Sequence, residues 1–223
     1  MIVLTSDIHG HLGLEWLSNE LSKITLTDKD HLIILGDAGI VWDEKEHPEV
    51  KDYYDSLPCS TLFLDGNHEN FDILDSLPII YSYGGKVHRI SDKISHLMRG
   101  ETYTIEDRTF FVFGGGYSAK KKDGTSPVFV WEREMPNKKE YDNGTEKLRL
   151  IGNSVDYIIT HVAPTEIASR LGKSPLEEEI ELNDYLTQVS TNNEYSEWYF
   201  GHYHTDVDLG KYHSVYRKIR VLP

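Results

Sequence analysis

The segment MIVLTSDIH (residues 1–9) is a short apolar run followed at once by polar side chains. The same pattern recurs in HLIILGD (residues 31–37) and in STLFLDGNHE (residues 60–69). Buried parallel strands are continuously apolar rather than alternating, and such strands are joined by crossover helices. The three runs therefore predict parallel strands of an α/β sheet, each ending where polar residues begin.

Helical periodicity lies between these runs. Apolar residues recur at spacings of three and four at the positions Leu14, Leu17, Leu21 and Ile24. That spacing places them on one face of a helix. Residues 46–57 fit a second helix, which must end before Pro58. The first third of the chain is thus predicted to be α/β.

The middle of the chain changes character. Four short strand-like runs, predicted to pair antiparallel, occupy residues 86–90, 94–99, 102–105 and 109–113. Glu106 and Asp107 are expected to turn a hairpin between the last two. Residues 120–127 form a polar, basic stretch that fits either a solvated loop or a lid over a substrate.

The remainder again mixes both kinds of element. Helices are predicted at residues 137–150 and 176–191, and strands at 155–160, 197–200 and within the tail 211–222. No internal repeat or linker composition interrupts residues 1–223, so one domain is the economical expectation.

Composition narrows the function classes. The 223 residues carry a formal net charge of −14, so the chain lacks the basic surface of a protein that grips duplex DNA. One cysteine, Cys59, cannot form an intramolecular disulfide, which favours a reducing compartment. No apolar run reaches the roughly 18 residues of a membrane-spanning helix, and no leader is recognisable, so we expect a cytoplasmic protein without membrane contact.

Metal-binding residue types follow the predicted strands directly. They are Asp7 and His9, Asp37, Asn67 with His68 and Glu69, His161, and His202 with His204. Ligands of α/β proteins bind outside the carboxyl ends of parallel strands. Five separate loops are therefore predicted to converge on one crevice.

Spacing supports this convergence. In an extended segment residues i and i+2 point the same way, so Asp7 with His9, and His202 with His204, could each aim two ligands at one place. Carboxylates, imidazoles and one amide, without a thiolate, suit manganese, iron or zinc better than calcium.

The number of candidates exceeds one metal ion. Seven ligands overfill one tetrahedral site, whereas a carboxylate can bridge two ions about 3.5–4 Å apart. Two divalent or mixed-valence ions, with manganese favoured and iron or zinc as alternatives, would make a positive pocket that attracts phosphate. A single histidine in such a position more often has a structural role than a metal-binding one, but the five blocks together favour a metal centre.

The ordered blocks Asp7-Ile8-His9, Gly36-Asp37, Gly66-Asn67-His68-Glu69, His161 and Gly201-His202-Tyr203-His204 resemble the calcineurin-like metallophosphoesterase superfamily. All five blocks occur in the family order and span residues 7–204. The resemblance implies an α/β fold, a four-layer αββα sandwich of two mixed sheets. It also implies hydrolysis of phosphoric esters, as a phosphatase or phosphodiesterase, by a water or hydroxide activated between two metal ions.

Roles follow from the same resemblance. It implies that Asp7, His9 and His204 hold one ion, that Asn67, His161 and His202 hold the other, and that Asp37 bridges them. His68 corresponds to the histidine that contacts phosphate and protonates the leaving group. The implied partner is a phosphorylated small molecule, a nucleotide or a phosphoprotein.

One departure bears on the substrate. After Gly36-Asp37 the protein-phosphatase branch continues with an aspartate and an arginine, whereas this chain continues with Ala38 and Gly39. Substitutes for these residues could be Asp65, Asp72, Arg99 or Lys120, and activity toward phosphoproteins is correspondingly doubtful. Asn67, Arg99 and His11 are the candidates for substrate contact. A non-catalytic interaction scaffold and a nuclease for short single strands are the rival functions.

Overall fold

The structure is a computed structural model that describes residues 1–41, 47–118 and 131–222. In these ranges the strands are β1 (Ile2–Thr5), β2 (His31–Leu35), β3 (Ser60–Leu64), β4 (Ile79–Ser82), β5 (Gly85–Arg89), β6 (Ile94–Leu97), β7 (Glu101–Ile105), β8 (Arg108–Phe113), β9 (Ser154–Thr160), β10 (Glu194–Phe200), β11 (Val207–Leu209), β12 (Tyr212–Ser214) and β13 (Arg220–Leu222). The helices are α1 (His11–Leu21), α2 (Pro48–Ser56), α3 (Phe71–Ser76), α4 (Lys138–Leu150), α5 (Thr165–Arg170) and α6 (Ile180–Asn192). Short 3₁₀ turns occupy Glu132–Glu134 and Glu177–Glu179.

The strands form two mixed sheets. One has the order β13-β1-β2-β3-β6-β5-β4, and the other has the order β11-β12-β10-β9-β8-β7. In the first sheet, β1, β2, β3 and β6 run parallel. In the second sheet, β8, β9, β10 and β12 run parallel. The carboxyl ends of these parallel strands position the polar loops described above.

The middle strands differ from their predicted pairing. They divide between the two sheets, and although β5 pairs antiparallel with β6, and β7 with β8, the pairings of β6 with β3 and of β8 with β9 are parallel. Local hairpins explain the antiparallel pairs, but the parallel neighbours come from distant segments. The hairpin turn at Glu106 and Asp107 is confirmed, and both residues adopt positive φ angles of 49° and 61°.

Alternation along the buried strands builds the layers. Ile33 and Leu35 of β2 face the second sheet in a core with Phe110 and Ile159. The intervening Ile34 faces the helices on the outer side of the first sheet. A third cluster covers the other sheet with α4, α5 and α6. The strands are apolar throughout because both faces are buried, and the predicted four-layer αββα architecture is confirmed.

Within the described ranges, no helix is long and apolar enough to cross a membrane.

Candidate metal centre

The loops after β1, β2, β3, β9 and β10 meet at one edge of the two sheets. Backbone hydrogen bonds join the first two, since Asp7 N–H donates to Gly36 O and His9 N–H donates to Asp37 O, at 3.1 and 2.8 Å. Glu69 connects the loop after β3 to the loop after β2, because its Oε1 accepts a hydrogen bond from the Ala38 amide at 2.9 Å. The convergence that the sequence predicts is therefore seen in the structure.

All seven predicted metal ligands lie in this cluster. On one side, His9 Nε2 lies 3.4 Å from His204 Nε2, and His204 Nε2 lies 3.3 Å from Asp7 Oδ1. On the other side, Asn67 Oδ1 lies 3.1 Å from both His161 Nε2 and His202 Nδ1.

Asp37 lies between the two sides. Its Oδ2 is 3.7 Å from His9 Nε2, and its Oδ1 is 3.5 Å from His161 Nε2. Among the described histidines, cysteines and carboxylates, two groups could each hold a metal ion: Asp7 with His9 and His204, and Asp7 with Asp37 and His161. Asp7 belongs to both groups, so two buried carboxylates share the centre of the cluster.

The backbone at the pairs Asp7–His9 and His202–His204 is left-handed, whereas the sequence predicts an extended backbone there. Positive φ angles of 50–65° occur at Asp7, His9, Asp37, His202 and His204. The left-handed conformation turns the chain sharply at each residue, and non-glycine residues adopt it rarely. The expectation that Asp7–His9 and His202–His204 form extended pleats is therefore wrong, although each pair still converges.

Glycines make room for the ligands. A side-chain carbon on Gly36 would overlap the His161 ring, and one on Gly66 would overlap Asp37 Oδ1. The glycines that precede ligand candidates are thus required by close approach of a neighbouring ligand.

The residues fit metal ions in three respects. Asp7 is 1% exposed, and within the described part of the chain its Oδ1 has no hydrogen-bond partner. His161 Nδ1 donates to Leu35 O at 2.8 Å, which leaves Nε2 as a lone-pair donor toward Asp37 and Asn67. The two Nε2 atoms of His9 and His204 face each other, an arrangement that a cation between them would stabilise.

Electrostatics agree with this fit. Burial disfavours the charged form of His161, but the charge of Asp37 outweighs it and raises the pKa of His161 to about 10. Burial lowers the pKa of His202 to about 4, and the neighbouring charge of His161 acts in the same direction. A proton on His161 thus compensates the buried carboxylates, a role that a metal ion takes over when it binds and displaces the proton.

His68 stands beside the ligands. Its backbone N–H donates to Asp37 Oδ1 at 2.8 Å, and its ring centroid lies 5.4 Å from that of His9. Asp37, which lies between the two sides of the cluster, thus anchors the backbone of His68 next to the cluster.

The three substrate candidates have different surroundings. Asn67 lies in the cluster, and its Nδ2 donates to Ser118 Oγ at 3.0 Å. His11 is the first residue of α1, and its ring stacks on that of His47 with centroids 3.8 Å apart. Arg99 is buried, with a 2% exposed side chain whose Nε donates to Asp65 Oδ2 at 2.7 Å.

The predicted substitutes for the missing aspartate and arginine have different surroundings. Asp65 is committed to Arg99 and to His96, and Asp72 lies in the first turn of α3. Lys120 and the possible lid at residues 120–127 lie outside the described residues.

Two further residues next to the candidate ligands are not predicted from the sequence. Glu179 is 4% exposed, accepts the Tyr117 amide at 3.0 Å, and places Oε1 3.7 Å from His202 Nε2. Ser118 holds the Asn67 amide. Glu179 belongs to a run of three glutamates, and that run carries no signal for which carboxylate is buried.

Comparison with known proteins agrees with the geometry. Residues 1–206 match the family model described as calcineurin-like phosphoesterase. A crystal structure of a putative 5'-nucleotidase from Staphylococcus aureus, in complex with α-ketoglutarate, aligns with 98% of this chain at 14% identity and a TM-score of 0.53. The chain spans 49% of that protein's length, and the likeness supports the fold. A search of curated proteins found no significant match. On the family match, which covers most of its residues, the chain belongs to the calcineurin-like phosphoesterase family.

Proposed function

We propose that residues 1–223 act as one domain that hydrolyses phosphoric esters with the help of two metal ions, manganese being favoured over iron or zinc. The observation that carries the proposal is the position of Asp37, whose two carboxylate oxygens approach His9 on one side and His161 on the other. A carboxylate in that position suits a bridge between two ions.

The ligand sets follow from the two sides of Asp37. Asp7, His9 and His204 would hold one ion, in agreement with their contacts around the orphaned Asp7 oxygen. The other ion would be held by Asn67, His161 and His202, which meet at the Asn67 amide oxygen. Asp7 also approaches the second group, so its position supports a compact pair of sites.

Bound metal ions would activate water and neutralise charge on the phosphate. The chain's own residues do the remaining work. Asp37 fixes the backbone of His68, so the imidazole stays beside the phosphate. A hydroxide oxygen bonds to phosphorus, the bond from phosphorus to the leaving oxygen breaks, and His68 gives its proton to that leaving oxygen. Ser118 keeps the Asn67 amide turned toward the cluster.

The preferred substrate is a phosphorylated small molecule, with nucleotides included. The description of the structural neighbour as a putative 5'-nucleotidase supports this class. Ala38 and Gly39 stand where the protein-phosphatase branch has an acid and an arginine, which disfavours phosphoproteins. A scaffold without turnover remains the alternative that the following experiment addresses.

Substitution of His68→Ala tests the proposal. The variant should retain its metal ions and lose about two to four orders of magnitude in turnover, the usual contribution of a general acid. The loss should be smaller with p-nitrophenyl phosphate than with an alkyl phosphate, because nitrophenolate leaves without protonation.

His161→Ala is the matched control. It removes a proposed ligand, so it should lose metal and activity with both esters alike. If His68→Ala empties a metal site, or loses equally with both esters, its role as the acid is wrong. Absence of turnover in the metal-loaded wild-type protein with every ester would favour the scaffold.

A further inference from the structure

A cavity of about 250 Å³ opens directly beside the proposed acid. His9, His68, Gly10 and Gly39 are among the residues that line it. These two glycines pack backbone to backbone, since a side-chain carbon on Gly39 would overlap Gly10 N. Because the candidate ligand His9 also lines the cavity, the cavity adjoins the metal cluster.

The outer walls of the cavity combine flat rings and apolar groups. The stacked imidazoles of His11 and His47 lie at an interplanar angle of 19°. Among the described residues, Leu12 and Val50 also line the cavity, whose lining is mainly apolar. Leu12 is 74% exposed, so its side chain is accessible to a ligand in the cavity.

A second cavity lies on the other side of the cluster and has a different character. Its volume is about 290 Å³, and Lys173, Ser174 and Glu179 line it together with His202 and His204. Its lining combines these charged and polar side chains with Leu176 and Tyr203. The cavity on the side of His11 is the more apolar of the two, so it better accommodates an apolar part of a substrate.

We infer that the cavity beside His68 binds the leaving group, and that this leaving group carries a flat ring. The inference rests on the proposed function, because a general acid must come within hydrogen-bond reach of the leaving oxygen. The leaving group consequently extends away from His68, and the cavity begins there. Imidazole faces and apolar walls favour a ring, through burial and offset stacking.

Size limits the ring-bearing group. Pockets for drug-sized ligands usually measure about 300–1,000 Å³, so this cavity lies below that range. It accommodates one ring system on a short arm. His11 and Leu12 would then determine specificity by contacting the ring, without taking part in bond cleavage.

Two matched esters separate ring binding from chemistry. 2-Phenylethyl phosphate and n-butyl phosphate both release a primary alkoxide, so their leaving groups need the same protonation. The wild-type enzyme should prefer the phenylethyl ester in kcat/KM by about fivefold, the scale of one stacking contact. His11→Ala and Leu12→Ala should each reduce that preference, mainly through KM. Leu150→Ala, at the end of α4 and 64% exposed, is the control and should leave the preference unchanged.

A second readout does not depend on turnover. Histidine C–H signals of the zinc-loaded protein are followed by NMR during titration with 2-phenylethanol or n-butanol. Ring currents from 2-phenylethanol should shift the signals of His11 and His47, whereas the signal of the distant His213 should stay in place.

The outcomes distinguish the two levels of the proposal. Hydrolysis of both esters without a preference, together with unshifted His11 and His47 signals, would overturn the leaving-group cavity and leave the hydrolase intact. Shifted signals without hydrolysis of either ester would show that the cavity binds a ring, but would overturn the proposed function and with it the assignment of the ring to a leaving group. If neither ester is hydrolysed and neither histidine signal shifts, both the cavity and the proposed function are overturned.

Discussion

Arg99→Met should destabilise the protein through loss of a buried ion pair rather than through loss of substrate binding. The guanidinium donates to Asp65 Oδ2 and to the backbone oxygens of Arg133 and Glu134, at 2.7, 2.9 and 3.0 Å. Both Arg99 and Asp65 have side chains that are 2% exposed. Methionine preserves much of the aliphatic volume but leaves the carboxylate with His96 as its hydrogen-bonding neighbour.

The size of the effect follows from that burial. Removal of one partner from a buried pair typically costs about 3–5 kcal/mol in the free energy of unfolding. For a chain of this length each kcal/mol lowers Tm by about 2–4 °C, so a fall of roughly 10 °C is expected. Burial opposes ionisation of Asp65, but Arg99 and His96 hold its pKa well below the usual range. The deficit should therefore be largest near neutral pH and shrink as the pH falls toward about 4, where the uncompensated carboxylate of the variant can protonate.

Thermal unfolding and steady-state kinetics together check this prediction. Arg149→Met is the matched control, because Arg149 also donates to a carboxylate, that of Glu146, but does so on the exposed surface of α4. Its Tm should remain close to that of the wild-type protein. An Arg99→Met variant with unchanged Tm and a raised KM would refute the structural interpretation and make Arg99 a substrate ligand.

The remaining predictions concern the metal centre. Asp37→Ala should weaken both metal sites together, measured as metal content after dialysis against manganese, because one carboxylate approaches both ligand groups; loss of a single ion would contradict the bridge. Glu179→Gln should lower metal affinity by about 10–100-fold if Glu179 orients His202 as a ligand, because its Oε1 lies 3.7 Å from His202 Nε2. Calorimetric titration with manganese would measure the affinity, and Glu178→Gln, at the neighbouring exposed glutamate, is the control. Equal affinities of the two variants would remove Glu179 from the centre.

The convergence of the site was predictable because strand ends are visible in sequence. Continuous apolar runs at His31–Leu35 and Ser60–Leu64 match the strands residue for residue. Polar residues that follow parallel strands must lie at one sheet edge, whatever the rest of the fold. The order of the five blocks then led to the family.

Elements with weak apolar signals were not predictable. Strand β4 (Ile79–Ser82) lies at a sheet edge and alternates exposed and half-buried residues, so it lacks the buried run that marks the central strands. Helix α3 (Phe71–Ser76) is too short to show helical periodicity. The sheet to which each middle strand belongs depends on long-range pairing, which local spacing does not encode. Arg99 illustrates the same limit, since only the structure reveals Asp65 as its partner.

The left-handed backbone lowers the stability of the fold at the same residues that are the candidates for metal binding. Asp7, His9, Asp37, His202 and His204 all have positive φ. Such a conformation costs a non-glycine residue about 1–3 kcal/mol, whereas glycine adopts it freely. A library of variants selected for heat resistance alone would therefore accumulate glycine at these five positions and lose donor atoms with each gain. Selection for metal retention must accompany selection for thermostability in any attempt to engineer this chain.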